Sequence, residues 1–431
     1  MPRGRDYLVS IDVGTNTLKG VVVSVDSSNQ IALEAYGSVK AVGIDKGEVK
    51  DAVAMKHSIQ KLIEDLTGQV GKKEIEADFR ISFTNGDYSV FSESIEEVIS
   101  EDRPTLVRQE ILDAMMARIK KEKLQTGNTN VHKNYVRKFI LDDEKVVFNP
   151  VDMVAKKLNV EMVFVSTEGK SAEVFKRLFE ELFGTEDFIV SPSLISGADA
   201  VLTDTEKQHG VVCVVLGHGF SEMVIYKENL PVHIDRIPLG IRHIVRDIAL
   251  VLGTSQDEAE RLLVTYGHAS MHPPAEESVV EYFGLDERTR KRVTVKKLST
   301  IIYARVKELL NKIRKEVQLF LLNNPEHSEE GIPGGVVFTG GGAKLRGLCD
   351  SGVESLKMPV RVGTYETSFN PRIENGHDVV NDPIFGPCLG NLIEHDELEG
   401  EYSEAMGMEK RRKGFGSFIK SLFFGGAEDE L

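Results

Sequence analysis

The feature that most constrains this chain is a pattern that occurs twice, roughly 200 residues apart. An apolar strand ends in a short glycine-containing turn, two more strands follow, and an amphipathic helix closes the unit. In the first half these are strand 7–13, turn 14–17, strands 18–25 and 31–42, and helix 53–66. In the second half they are strand 211–216, turn 217–220, strands 221–226 and 232–237, and helix 241–252. The repeat predicts two similar α/β domains facing each other across a cleft, where ligands usually sit.

Two segments interrupt the repeat. Residues 84–166 read as a helix near 105–123 with short strands at 135–141, 146–148 and 157–165, a small inserted α+β module. Helix 171–183 and strand 188–191 then resume the first half. Residues 254–330 read as mostly helical and charged, including the long segment 296–320. A strand at 334–339 enters Gly340-Gly341-Gly342-Ala343-Lys344.

Three turns carry candidate chemistry. After the first strand comes Asp12-Val13-Gly14-Thr15-Asn16-Thr17-Leu18-Lys19. Gly14 permits a tight turn, and Thr15, Asn16 and Thr17 offer backbone and side-chain donors to a phosphate. Asp12 is placed to hold Mg²⁺ through water, and Lys19 to reach phosphates. The second turn, Gly217-His218-Gly219-Phe220, repeats that logic. In the third, Gly340, Gly341 and Gly342 let backbone approach a flat ligand. Each turn alone also fits an ordinary hairpin or strand-to-helix turn. Their order on three strand ends is the specific signal.

Composition narrows the partners. The 431 residues exceed one core and predict two or three domains. A net charge of −15 argues against nucleic acid as the main partner. Cys213, Cys349 and Cys388 are far apart, which fits a reducing compartment and gives no zinc or disulfide framework. The start, Met-Pro-Arg-Gly-Arg-Asp, has no apolar stretch, so no secretory signal is expected. No run of 18 apolar residues predicts a membrane span.

The tail stands apart from this acidic background. Phe415, Phe418, Ile419, Leu422 and Phe423 share one helical face. Arg411, Arg412 and Lys413 precede it, with Lys420 inside it. Such a helix lies in a membrane interface, apolar side down and basic groups near anionic headgroups. The alternative is a terminal helix docked on the protein's own core. The polar stretch 394–409 reads as a flexible linker.

The three turns resemble the phosphate-1, phosphate-2 and adenosine motifs of the superfamily of actin, heat-shock chaperones and sugar kinases. Within it the chain resembles the FtsA family of bacterial cell-division proteins over essentially its whole length. Ser38 to Asp51, with Gly43, Gly47 and Asp51, looks like that family's turn into the first helix. Helix 53–66 follows the third strand too closely for the actin-type small subdomain. The extra module comes later, and a linker with an amphipathic tail ends the chain.

The resemblance implies an actin-like, ribonuclease H-like duplicated fold with a nucleotide cleft. Domain 1A would span 1–83 and 167–196, and an inserted 1C subdomain 84–166. Domain 2A would span 197–252 and 331–393, and subdomain 2B 253–330. The linker and the membrane-targeting helix would occupy 394–409 and 410–425. It also implies ATP and Mg²⁺ as ligands, and Glu260 as the carboxylate on the ribose hydroxyls. Implied partners are further copies in a head-to-tail filament, anionic lipids, other division proteins, and the C-terminal peptide of FtsZ. The FtsZ peptide would dock on a basic face that includes Lys296, Lys297 and Arg305. The implied location is the cytoplasmic side of the cell membrane at the division site.

Two departures bear on catalysis. Many superfamily members have an acidic residue where this chain has Val215, and a valine can neither orient water nor bind Mg²⁺ through its shell. A Lys often found three residues after the ribose carboxylate is Leu263 here. The expectation is ATP binding with slow or undetectable hydrolysis. His218 is a possible replacement base, or simply an exposed turn residue. Two other readings stay open: a pilus-assembly relative of the PilM type, and a soluble phosphotransferase of the sugar-kinase type.

Overall fold

The computed structural model describes residues 6–26, 30–71, 77–84, 87–125, 129–168, 171–184, 188–368 and 372–393. The expected linker 394–409 and the basic amphipathic segment, Arg411 to Phe423 included, lie outside the described residues.

In the first half, β1 (Asp6–Val13) and β2 (Thr17–Val25) form an antiparallel hairpin, and β3 (Ile31–Lys40) extends it. A small hairpin of β4 (Ile44–Asp45) and β5 (Glu48–Val49) leads into α1 (Ala52–Val70). Gly43 has φ of 86°, and a Cβ there would lie 2.2 Å from the Asp51 carbonyl oxygen, so this turn requires glycine. The Asp51 carboxylate caps α1 by accepting from the Ala54 N–H. Met55, Ile59, Leu62, Ile63 and Leu66 then bury one helix face against the sheet. β6 (Ala77–Phe83) pairs parallel to β1 on its other side.

The inserted module follows. β7 (Tyr88–Val98) comes first, then β8 (Thr105–Leu106), α2 (Gln109–Gln125), β9 (Thr129–Leu141), β10 (Lys145–Val147), β11 (Val154–Ala155) and β12 (Lys157–Glu168). Four strands form a sheet in the order β10-β9-β12-β7. α2 covers one face, packing Leu112, Met115 and Ile119 with Phe139, Val160 and Phe164. The sequence reading did not find β7. It is an edge strand with one face in solvent, so serines and glutamates dilute its alternation. α3 (Ser171–Phe183) and β13 (Phe188–Pro192) complete the first sheet, ordered β13-β6-β1-β2-β3 up to a last short edge strand.

Next, α4 (Ser193–Val201) lies between the halves with all nine residues buried. α5 (Asp204–His209) follows. The second hairpin, β14 (Val211–Leu216) and β15 (Ser221–Lys227), is extended by β16 (Leu230–Ile237). α6 (Ile241–Leu252) and α7 (Gln256–Tyr266) come next. After them stand β17 (Val279–Phe283), β18 (Arg290–Thr294) and the long α8 (Val295–Asn323). β19 (Val336–Thr339), α9 (Leu348–Leu356) and β20 (Val360–Val362) finish a sheet ordered β16-β15-β14-β19-β20.

The structure differs from the sequence reading at two places here. Residues 279–294 form a hairpin inside the segment read as helical. Val280, Tyr282 and Val293 point into the core, while exposed apolar Val279 and Phe283 and the unbroken charges Arg290-Lys291-Arg292 hide the alternation. Residues 373–393, expected with the second half, return to the first. β21 (Ile373–Glu374) pairs with the edge of β3, and α10 (His377–Val380) follows. α11 (Gly386–Gly390) packs on α4, close enough that a Cβ on Gly390 would collide with the Ser196 carbonyl. Buried Arg80 donates to the Asn391 carbonyl at 2.7 Å, and Asn391 donates to Ser10 at 3.2 Å. These buried polar bonds tie the segment to β6 and β1. Among the described residues no helix is long and apolar enough to cross a membrane.

Candidate functional site

Both hairpins place their turns by the same register. Asp12 lies opposite Lys19 in β1–β2 and beside Ser82 in β1–β6. At the corresponding place, Val215 lies opposite Glu222 in β14–β15 and beside Thr339 in β14–β19. The repeat seen in the sequence is therefore a repeat of strand pairing.

In the first half that register builds a polar knot. Asp12 is buried, and its Oδ2 accepts from Lys19 Nζ at 2.8 Å. Its Oδ1 accepts from Ser82 at 3.1 Å and from Ser193, the first residue of α4, at 2.6 Å. Three of a carboxylate's roughly four acceptor positions are filled, which leaves room for one water but not for direct chelation of a cation. Gly14 leaves space for the lysine, since a Cβ there would come 2.7 Å from Lys19 Nζ. Asn16 holds the turn by accepting from Ala41 N–H at 2.8 Å.

The second turn is held from below by α6. The Gly217 and His218 carbonyls accept from Ile241 and Arg242 N–H at 3.1 and 2.9 Å. Gly240 makes this fit possible, because a Cβ there would lie 2.4 Å from the His218 oxygen. Gly219 N–H then donates to Thr15 Oγ1 at 3.3 Å, so the two turns touch across the cleft. Arg242 also reaches Asp45 of the β4–β5 hairpin at 3.0 Å.

The third turn seals the floor. Gly340 has φ of 82° and donates to the Pro383 carbonyl at 3.0 Å. A Cβ on Gly342 would lie 2.7 Å from Leu216 Cβ, whereas one on Gly341 would meet nothing within 4 Å. Gly341 is therefore the glycine that faces open space, and Ala343 is buried behind it.

Several predicted residues do something other than face a ligand. The Phe220 ring is buried, with the Arg236 guanidinium 4.2 Å above it, so it supports the turn. Lys344 pairs with Asp382 at 2.7 Å. His218 is half-buried, not an exposed turn residue. Burial pushes its pKa down, and the charge of Glu260 pulls it part of the way back. The exposed carboxylate of Glu260, on α7, is therefore near enough to act on His218.

The basic face is also corrected. Arg290, Lys291 and Arg292 lie on β18 rather than on a helix. Lys296 pairs with Glu276 at 2.8 Å, and Arg305 grips Asp247 at 2.8 and 3.1 Å. Lys297 is exposed on α8. With Arg290 and Arg292 beside Glu281, four of these cations are matched by carboxylates from other elements, which a linear reading of lysines and arginines does not show.

Glu222 was missed by the sequence reading. It is buried opposite Val215, and Val215, Val224 and Tyr226 on that face pack against α4. Its carboxylate therefore lies on the cleft side of the second sheet. The available signal was an acidic residue directly before the apolar run Met223 to Tyr226. Among the described residues no cluster of three or more His, Cys, Asp or Glu is arranged to hold a metal ion.

Two family models match the chain. One, described as Cell division protein FtsA, covers residues 212–390. The other, described as the SHS2 domain inserted in FTSA, covers residues 88–166, the inserted module. The chain belongs to the FtsA family.

Family members align along the chain. Cell division protein FtsA of Borreliella burgdorferi is 26% identical, over 97% of this chain and 98% of that protein. FtsA of Bacillus subtilis is 27% identical over 83% and 79%. FtsA of Escherichia coli K12 is 24% identical over 97% of each. Solved structures show the fold to be actin-like. The PilM–PilN type IV pilus biogenesis complex matches with a TM-score of 0.57 at 16% identity, covering 89% of this chain and 97% of that one. The MamK double helical filament gives 0.52 at 12% identity, covering 90% and 98%. MreB5 of Spiroplasma citri bound to AMPPNP gives 0.51 at 13% identity, covering 90% and 95%.

Proposed function

We propose that this FtsA-family chain is an ATP-binding adaptor that polymerises and tethers FtsZ filaments to the cytoplasmic face of the membrane. The observation that carries the nucleotide reading is the contact of Gly219 with Thr15 over the Asp12–Lys19 pair. Two glycine turns meeting above a lysine make a cradle for a phosphate chain. Lys19 and the N–H groups around Gly14 and Gly219 would hold the phosphates. Gly340, Gly341 and Gly342 would receive the base, and Glu260 the ribose. Asp12 would hold Mg²⁺ through water, as the remaining position on its carboxylate allows. MreB5, an actin-like neighbour, was solved with AMPPNP, and MamK as a filament. The first supports the reading of nucleotide binding, and the second that of self-assembly.

Bound ATP would supply the charge and contacts that favour the closed cleft. Glu222 adds a carboxylate near the phosphate end that can orient a water where Val215 cannot. Each copy would contribute one amphipathic tail, residues 410–425. One such tail binds weakly, and a filament of many binds strongly by avidity. FtsZ would dock on the 253–330 segment, and other division proteins would join the filament.

The test is co-sedimentation with anionic liposomes in the presence of ATP. The samples are the full chain, a chain truncated after Gly407, and Phe418→Asp. Pelleting of the full chain alone supports the adaptor. Equal pelleting of the truncation, or none of any sample, removes the anchor and favours a PilM-like role.

A further inference from the structure

The inserted module is not simply attached to the first half by its two ends. Lys133 on β9 reaches out of the module, and its ammonium donates to Asp199 Oδ2 of α4 at 3.1 Å. The other oxygen, Oδ1, accepts from Lys207 of α5 at 2.9 Å. Asp199 is 4% exposed, so the carboxylate at the centre of this ion triad is buried, with both lysines half-buried around it. Tyr135, two residues on along β9, is buried in the same core as α4 and Tyr226 of β15. Three units therefore meet at one carboxylate: the module, the α4 helix and the second half.

α4 connects this joint to the cleft. Ser193 at its start donates to Asp12 at 2.6 Å. Asp199 lies six residues along, about 9 Å at the rise of an α-helix. Every residue between is buried, and Gly197 packs against Val215, where its Cβ would lie 3.4 Å from a Val215 methyl. A short helix clamped on all sides transmits displacement rather than absorbing it.

We propose that α4 is a strut that couples occupancy of the Asp12–Lys19 site to the position of the inserted module, through Ser193 at one end and the Asp199–Lys133 pair at the other. This rests on the nucleotide reading above. A polyphosphate that draws Lys19 away from Asp12 changes the contacts at Ser193. The same helix then shifts Asp199 against Lys133, and the module moves with β9. Loss of either end disconnects the module from the cleft.

The test is hydrogen exchange across β9 and β12, with and without ATP·Mg²⁺, beside calorimetric ATP binding. Three full-length proteins are compared: wild type, Lys133→Met and Ser193→Ala. Lys133→Met cuts the joint at the module, and Ser193→Ala cuts it at the cleft with little change in packing. In wild type, ATP should change exchange of residues 129–135 and 163–167. In both variants that change should vanish, although ATP still binds. The ATP dissociation constant should shift on the order of tenfold, within the ~5–150-fold typical of coupled sites. An ATP response that persists in Ser193→Ala overturns the strut even where Lys133→Met fails to fold. Binding in wild type with no response in β9 also overturns it. No ATP binding in wild type overturns the nucleotide reading and this coupling together.

Discussion

Val215 lies directly opposite Glu222 across the second hairpin, on the sheet face that turns toward the first half. Antiparallel neighbours of this kind have Cβ atoms about 4.5–5.5 Å apart. A carboxylate missing from one strand is thus offered by the next. The corresponding pair in the first half is Asp12 and Lys19, so the two hairpins face the cleft with different charges at equivalent places.

Glu222→Gln keeps the size of the side chain and removes its charge. ATP turnover, measured as phosphate release, should fall by roughly 10²-fold or to background, in line with loss of a positioned base. ATP affinity should change far less. An unchanged turnover would remove Glu222 from the chemistry.

Gly341 and Gly342 are adjacent but meet different surroundings. Gly342→Ala drives a methyl against Leu216 and Ile241 and should destabilise the protein by about 1–3 kcal/mol. Gly341→Ala meets open space and should stay within about 0.5 kcal/mol of wild type. It should instead weaken ATP binding. Thermal melts and a nucleotide titration of both variants separate the two effects.

His132 sits where the module joins the first sheet. It is bonded to Thr167 Oγ1 at 2.9 Å and flanked by the rings of Phe83 and Tyr88. Burial pushes its pKa down to about 4 from 6.5. The unfolded chain therefore binds the proton more readily than the folded one between those values. Stability from this group is full above about pH 6.5 and is lost as pH falls toward 4, by roughly 3 kcal/mol at most. His132→Gln, which retains a partner for Thr167, should flatten that part of a stability profile measured by urea unfolding.

On α8 the neighbouring lysines differ in their surroundings. Both are exposed, but Lys296 already pairs with Glu276. If this face receives the acidic FtsZ peptide, Lys297→Glu should weaken peptide binding more than Lys296→Glu. Fluorescence anisotropy with a labelled peptide gives the comparison. The reverse order would move the docking site elsewhere.

Much of the architecture was legible in the sequence because local patterns control it. Apolar runs ending at Gly14 and Gly217 can only be strands entering tight turns, and helical spacing marks α1, α3, α6 and α8. Three glycine turns in order pointed to a cleft and to the candidate ligand class. What the tertiary structure decided depends on pairing across long stretches of chain. Strand register put Glu222 opposite Val215 and Ser82 beside Asp12. Packing sent residues 373–393 back to the first sheet, where Arg80 and Ser10 meet Asn391. Charges read as one basic face proved to be matched by Asp247, Glu276 and Glu281 from other elements. The joint of Lys133 and Lys207 on buried Asp199 has no sequence pattern, because burial and ion pairing come from surfaces brought together only by folding.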